Sequence, residues 1–146
     1  MNSPFRWPVR VYYEDTDAGG IVFYANYLKF FERARTEWLR AAGIAQQRLA
    51  DEARRVFVVK STSVDYHAPA KLDDRLEITV DIAKLGRATV GFRQEAWLTA
   101  DDGTRRLLCS GSIRVGCVDA DSLRPAPMPD DVNARLRNSM QQISGE

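Results

Sequence analysis

The sequence has little of what marks the common specialised classes of protein. No apolar run approaches the roughly 20 residues a membrane helix needs, and the first eight residues, MNSPFRWP, lack the apolar centre of a signal peptide. A cytoplasmic protein with no transmembrane segment is therefore expected. The formal net charge is +1, so there is no basic excess to hold nucleic acid or an anionic membrane surface. One histidine and two cysteines are present, too few for a zinc constellation, and no metal is expected. Cys109 and Cys117 fall eight apart in one expected strand, about 26 Å at ~3.3 Å per residue. A disulfide needs Cα atoms within about 7 Å, so the two cannot pair within the chain, and free buried thiols suit a reducing compartment. No serine–histidine or cysteine–histidine constellation offers an activated nucleophile. Internal repeats and low-complexity tracts are also missing.

What remains is an ordinary globular composition, 45% hydrophobic and 28% charged over 146 residues. That is enough for one domain, 1–146, with a real core. The stretch that organises it runs from Glu14 to Gly43. It opens with an acidic turn, Glu14-Asp15-Thr16-Asp17-Ala18-Gly19-Gly20, crosses Ile21-Val22-Phe23-Tyr24, and enters an amphipathic segment from Ala25 to Ala42 that Gly43 stops. A carboxylate is thus held just before a helix start, where unpaired N–H groups carry partial positive charge. A base or nucleophile beside oxyanion donors suits chemistry on a carbonyl. The spacing Asp15-x-Asp17-x-x-Gly20 also resembles the start of a calcium loop. Gly19 and Asn26 would then stand where ligands are required, so calcium is not expected.

At 100° per residue, Tyr27, Phe30, Phe31, Ala34, Trp38, Leu39 and Ala42 share one face of the helix. Arg35 breaks the pattern and must snorkel to an edge, or brace the acidic turn or nearby carbonyls. Strands are expected at Val9–Tyr13, Val56–Tyr66, Leu76–Ile82, Thr89–Thr99 and Leu107–Val118, with a weak helical connector at Gln46–Arg54. Asp101-Asp102-Gly103 signals a hairpin turn. His67 reads as an ordinary turn residue. Pro125, Pro127 and Pro129 exclude regular structure. Beyond them Asp130 caps a short C-terminal helix with Val132, Leu136, Met140 and Ile143 in one stripe. The core is expected at about 9–118, with 119–146 as a Pro-rich tail. Consecutive strands normally pair, so the expected class is α+β, one long helix wrapped by a five-stranded antiparallel sheet. Two open edges favour a homo-oligomer, dimer or tetramer.

Two segments carry a family resemblance. Tyr13-Glu14-Asp15-Thr16-Asp17-Ala18-Gly19-Gly20-Ile21-Val22-Phe23-Tyr24-Ala25-Asn26-Tyr27 with Glu32-Arg33-Ala34-Arg35-Thr36-Glu37 is one, and Val64-Asp65-Tyr66-His67-Ala68-Pro69-Ala70-Lys71-Leu72-Asp73-Asp74 is the other. Together they resemble the hotdog-fold acyl-CoA thioesterases of the 4-hydroxybenzoyl-CoA thioesterase group, nearest its YbgC-like branch, the Tol-Pal-associated type. Tyr24 departs from that branch, many of whose members carry histidine there. The Phe-Tyr-x-Asn-Tyr run looks more like the 4-hydroxybenzoyl-CoA enzymes. The resemblance implies a hotdog fold, a sheet continuous across a dimer, and hydrolysis of short-chain aliphatic or aromatic acyl-CoA.

By the same resemblance Asp17 is the catalytic carboxylate, acting as general base or nucleophile, and Asp15 forms the turn. The N–H groups near Phe23 and Tyr24 would polarise the carbonyl, that of Tyr24 foremost. Phe23, Asn26 and Tyr27 are the expected substrate-binding residues. Arg87 and Thr89, then Lys60 and Arg124, are expected to receive coenzyme A. No cofactor is expected, since coenzyme A belongs to the substrate. The alternatives are a thioesterase acting on acyl carrier protein, a dehydratase on the same scaffold, and a non-catalytic acyl-thioester-binding or adaptor protein.

Overall fold

The computed structural model describes residues 5–144, with side chains as far as residue 140, so the first residues of the N-terminal segment and the side chain of Ile143 lie outside the description. Five strands, β1 (Phe5–Arg10), β2 (Arg55–Tyr66), β3 (Arg75–Leu85), β4 (Thr89–Thr99) and β5 (Arg105–Asp119), make one sheet. Three helices accompany it: α1 (Asn26–Ala41), α2 (Gln46–Ala53) and α3 (Asp130–Ser144). Every strand pairing is antiparallel, and the spatial order is β1-β3-β4-β5-β2.

The expected α+β class and antiparallel sheet are present, but three details differ. The first strand ends at Arg10 rather than Tyr13, because the buried Asp15 carboxylate accepts the Tyr12 N–H at 2.8 Å and turns the chain into a 3-10 turn at Tyr13–Asp15. Pro8 is accommodated because β1 is an edge. Next, β2 does not pair with β3. The connection after Tyr66 is drawn to the acidic turn, where Val22 N–H donates to Ala70 C=O at 2.9 Å and Ile21 bridges to Lys71, and β2 is left beside β5. Finally, the C-terminal helix is not short: α3 runs 15 residues against 16 for α1. The Pro-rich stretch before it is tied to the sheet end by Ala126 N–H to Cys117 C=O at 3.0 Å and Met128 N–H to Arg87 C=O at 2.9 Å. Val132 and Leu136 are thereby buried, and Asp130 and Asp131 suit the positive end of the helix.

α1 is built as its periodicity requires. Tyr27, Phe30, Phe31, Ala34, Trp38 and Leu39 are all buried. Each large side chain removed from water contributes about 1.5–3 kcal/mol. The helix ends in a Schellman motif: Ile44 N–H donates to Leu39 C=O at 2.8 Å, Gly43 N–H to Arg40 C=O at 3.0 Å, and Gly43 has φ +86°. Ile44, just past the stop, is buried as that motif prefers. Gly111 on β5 lets the helix approach closely, since a Cβ there would stand 3.0 Å from Phe31 Cε2. Both cysteines are free and buried, eight residues apart in β5.

Candidate functional site

The acidic turn folds into one small hairpin that leads into the start of α1. Thr16 bridges to Val22, Asp17 N–H donates to Ile21 C=O at 2.9 Å, and Gly20 N–H returns to Asp17 C=O at 3.0 Å. Gly20, at φ +81°, takes the backbone shape a side chain would resist. The hairpin holds two carboxylates in opposite environments. Asp15 is buried and serves the backbone through Tyr12 N–H, while its carbonyl receives Phe23 N–H at 3.0 Å and Asn26 Nδ2 at 2.9 Å. Asp17 is exposed. Its Oδ1 accepts Gly19 N–H at 2.8 Å, which fixes its orientation, and its other oxygen has no protein partner among the described residues.

The helix start divides the expected oxyanion donors. The N–H of Phe23 is occupied by Asp15, so of the two positions named from the sequence only Tyr24 has an amide free of any acceptor among the described residues. Ala25, the residue before the first helical turn, offers a second. Its role is invisible in the sequence because alanine carries no polar signal.

Aromatic rings wall the turn. Phe23 and Tyr24 are exposed, with ring centroids 4.8 Å apart. Tyr66, at the end of β2, donates from its hydroxyl to Tyr24 C=O at 3.1 Å and ties the helix start to the sheet. Asn26 holds the turn through Asp15, and Tyr27 lies in the core, only 3% exposed, with its hydroxyl unpartnered among the described residues. Burial pushes the Tyr27 phenol up to about 12. His67 is more than a turn residue: its Nε2 is 2.9 Å from Ser110 Oγ and its N–H donates to Leu108 C=O at 2.8 Å, joining the end of β2 to β5.

The expected coenzyme A residues are not beside Asp17 in the same chain. Arg87 sits in the β3–β4 turn and lines a surface cleft of about 530 Å³ with Arg55 and Arg137. Thr89 pairs with Gly116, across which the stem of Lys60 packs, and Arg124 lies in the exposed loop after β5. All belong to the end of the sheet where β2 starts and β5 finishes, or to its middle. Asp17 belongs to the end where β2 finishes and β3 starts. The 11 residues of β3 separate the two ends, roughly 35 Å of strand.

Comparison with known proteins now bears on this arrangement. A family model described as the thioesterase-like superfamily matches residues 11–136. The chain belongs to that superfamily. Within the thioesterase-like superfamily it is 42% identical over 138 residues to acyl-CoA thioesterase YbgC of Haemophilus influenzae, covering 94% of this chain and 98% of that one. It is 45% identical over 138 residues to acyl-CoA thioester hydrolase YbgC of an Escherichia coli O6:H1 strain, covering 94% and 99%. Among solved structures, a mutant 4-hydroxybenzoyl-CoA thioesterase complexed with 4-hydroxybenzoyl-CoA superposes with a TM-score of 0.83 at 21% identity, covering 90% of this chain and 96% of that one. At that identity the likeness establishes the fold alone. The YbgC-like resemblance drawn from the acidic turn and the segment at 64–74 is upheld, and these curated relatives are thioester hydrolases.

Proposed function

We propose that the protein hydrolyses acyl-CoA thioesters, with Asp17 as the reacting carboxylate and the N–H groups of Tyr24 and Ala25 as the oxyanion donors. One observation carries the reading: an exposed carboxylate with a free oxygen sits in a tight hairpin that leads directly into a helix start where two amides are unpaired among the described residues. The thioester carbonyl oxygen accepts from those amides, which stabilises the negative charge that develops on attack. Asp17 takes a proton from water as the water oxygen bonds to the carbonyl carbon. The carbon–sulfur bond then breaks and the thiolate leaves, to be protonated from solvent or from Asp17. In the other route Asp17 attacks the carbon directly and expels the thiolate, giving a mixed anhydride that water hydrolyses to the free acid and regenerated Asp17. The exposed rings of Phe23 and Tyr24 suit short aliphatic or aromatic acyl groups.

The site is read as shared between two copies. β2 has 12 residues, with an exposed stretch from Val59 to Ser63, whereas β1 has six and contains Pro8. β2 is therefore the edge fit for pairing. Antiparallel β2–β2 pairing would set the β2 start of one copy beside the β2 end of the other. The Lys60–Thr89–Arg87 end would then stand towards the partner copy's reacting turn, where the phosphates of coenzyme A need cations.

Thiol release over a panel of short-chain, medium-chain and aryl acyl-CoAs tests the proposal. Turnover of at least one, lowered at least about a hundredfold in Asp17→Asn, is the expected result. A wild-type chain that binds these thioesters without releasing thiol would leave a non-catalytic binding protein.

A further inference from the structure

The sheet-facing side of α1 carries a charge that the reaction does not use. Arg35 is 9% exposed, on a face otherwise made of Phe31, Ala34, Trp38 and Leu39. Among the described residues it braces neither the acidic turn nor a backbone carbonyl, and it stays buried rather than snorkelling to an edge, so none of the outcomes its position in the sequence suggests is met. Its guanidinium makes one hydrogen bond among the described residues, from Nη1 to Gln94 Oε1 at 2.9 Å. The Gln94 amide is itself spent on the carbonyls of Phe31 at 3.0 Å and Thr79 at 3.3 Å. No ion pair reaches Arg35 among the described residues. Burial lowers its pKa, and Glu32 opposes that only in part, its Oε2 being engaged by Thr36 Oγ1 at 2.9 Å.

Arg35 borders a cavity of about 150 Å³ between α1 and the sheet. Leu39, Phe57, Phe92 and Val115 supply apolar wall, and Glu32, Thr36 and Gln46 join Arg35 as polar lining. A cavity near this size accepts a benzene-sized body. A guanidinium has five donors in a planar fork that matches a carboxylate; Arg35 spends one on Gln94 and, although Glu32 lies on the same cavity wall, makes no ion pair with it. We propose that this cavity binds a carboxylate carried on a ring-sized apolar body, the carboxylate on Arg35 and the body against Leu39, Phe57, Phe92 and Val115. Two sources share that chemistry, a free acid of the kind hydrolysis releases, and the far-end carboxylate of a dicarboxylic acyl group. Naming the second source rests on the thioesterase reading. Arg35 lies eleven residues beyond Tyr24, about 16 Å along the helix, further than a short acyl group extends. An acyl group filling the cavity would therefore come from the partner copy's thioester.

Calorimetric titration of the full-length protein with hexanoate, benzoate and adipate tests the binding, with hexanol as the uncharged control. At least one acid should bind and hexanol should not. Arg35→Gln should weaken that binding at least about tenfold, a loss of the size a charge-assisted contact supplies. Val115→Phe, which fills the cavity and leaves Arg35 in place, should do the same and carries the test should Arg35→Gln not fold. In the second arm, kcat/KM for adipoyl-CoA is compared with hexanoyl-CoA. A preference for adipoyl-CoA that Arg35→Gln removes assigns the cavity to the acyl group; acid binding without such a preference assigns it to the free acid. No acid binding together with no Arg35-dependent preference overturns the proposal, as does binding that both variants leave intact. Hexanoyl-CoA hydrolysis in the same preparations keeps the thioesterase reading separate, because that activity persists if only the carboxylate site is wrong.

Discussion

The Phe23 amide donates to the Asp15 carbonyl at 3.0 Å, and this bond separates the two aspartates by task. It uses the amide that would otherwise compete for an oxyanion, and commits Asp15 to holding the hairpin while Asp17 stays accessible. Asp17→Asn should therefore lower turnover on the best acyl-CoA by at least about a hundredfold, the lower range of general-base assistance. Substrate affinity should be largely kept. Thiol-release kinetics and equilibrium binding measure the two; near-parental turnover would make the carboxylate structural.

Asp15→Ala is expected to act on stability instead. It leaves the Tyr12 N–H without its acceptor in a part-buried setting, which costs about 1–3 kcal/mol. Urea unfolding measures the loss, and the folded fraction should retain far more activity than Asp17→Asn.

Gln94→Leu should be among the more destabilising single changes in the core. It strips Arg35 of its one hydrogen bond among the described residues and leaves the Phe31 and Thr79 carbonyls without the Gln94 amide. Roughly 2–3 kcal/mol is expected, the scale for a hydrogen bond to a charged group lost in the interior. A midpoint in urea unchanged from the parent would show that the contact adds nothing.

Alkaline pH should unfold the protein through its buried acids. Burial pushes Cys109 from 9.0 to about 12 and Tyr27 from 10.0 to about 12. Above pH 9 the unfolded chain loses these protons while the folded chain keeps them, so the unfolded state binds fewer protons and stability falls as pH rises. The loss should develop between pH 9 and about 12. Urea midpoints across that range measure it. A thiol reagent at about pH 8 should meanwhile find neither cysteine in the folded protein.

A site shared between copies, as proposed, predicts subunit complementation. Inactive Asp17→Asn chains, refolded with chains weakened by Arg87→Ala and Lys60→Ala, should recover about a quarter of parental activity, since random pairing makes half the dimers mixed and each mixed dimer holds one intact site. No recovery would mean that one chain supplies the whole site.

The legibility of the sequence divides along local and non-local lines. Alternation alone bounds Thr89–Thr99 correctly, and the buried face of α1 comes from its 3.6-residue period, because each pattern lies within one segment. The place of β2 is not legible. It depends on Val22 and Ile21 capturing Ala70 and Lys71, a contact between segments almost fifty residues apart. The same holds for Arg35, whose partner Gln94 is 59 residues away and has no periodic signature. At the hairpin, Asp17 is legible as chemistry through its motif, but occupation of the Phe23 amide is not, since backbone pairing leaves no mark on residue type. The extent of α3 is legible in the stripe from Val132 to Ile143 behind the Asp130 cap; only its description as short fails, because the run from that cap to Ile143 already spans about four turns.

Pro8 has a consequence for how copies of this chain can accumulate. A strand sheet with two receptive sides can grow by addition at each, as a ribbon does, and growth of that kind has no natural end. In β1 the proline supplies no N–H to a ladder, and among the described residues the strand is half the length of β2. With copies paired through β2 as proposed, the molecule would be one-sided as a building block: it would close with a single neighbour and have little left to recruit a third. Under that pairing a single imino acid at the margin of the fold would guard against fibre formation at high concentration, far from the turn that holds Asp17.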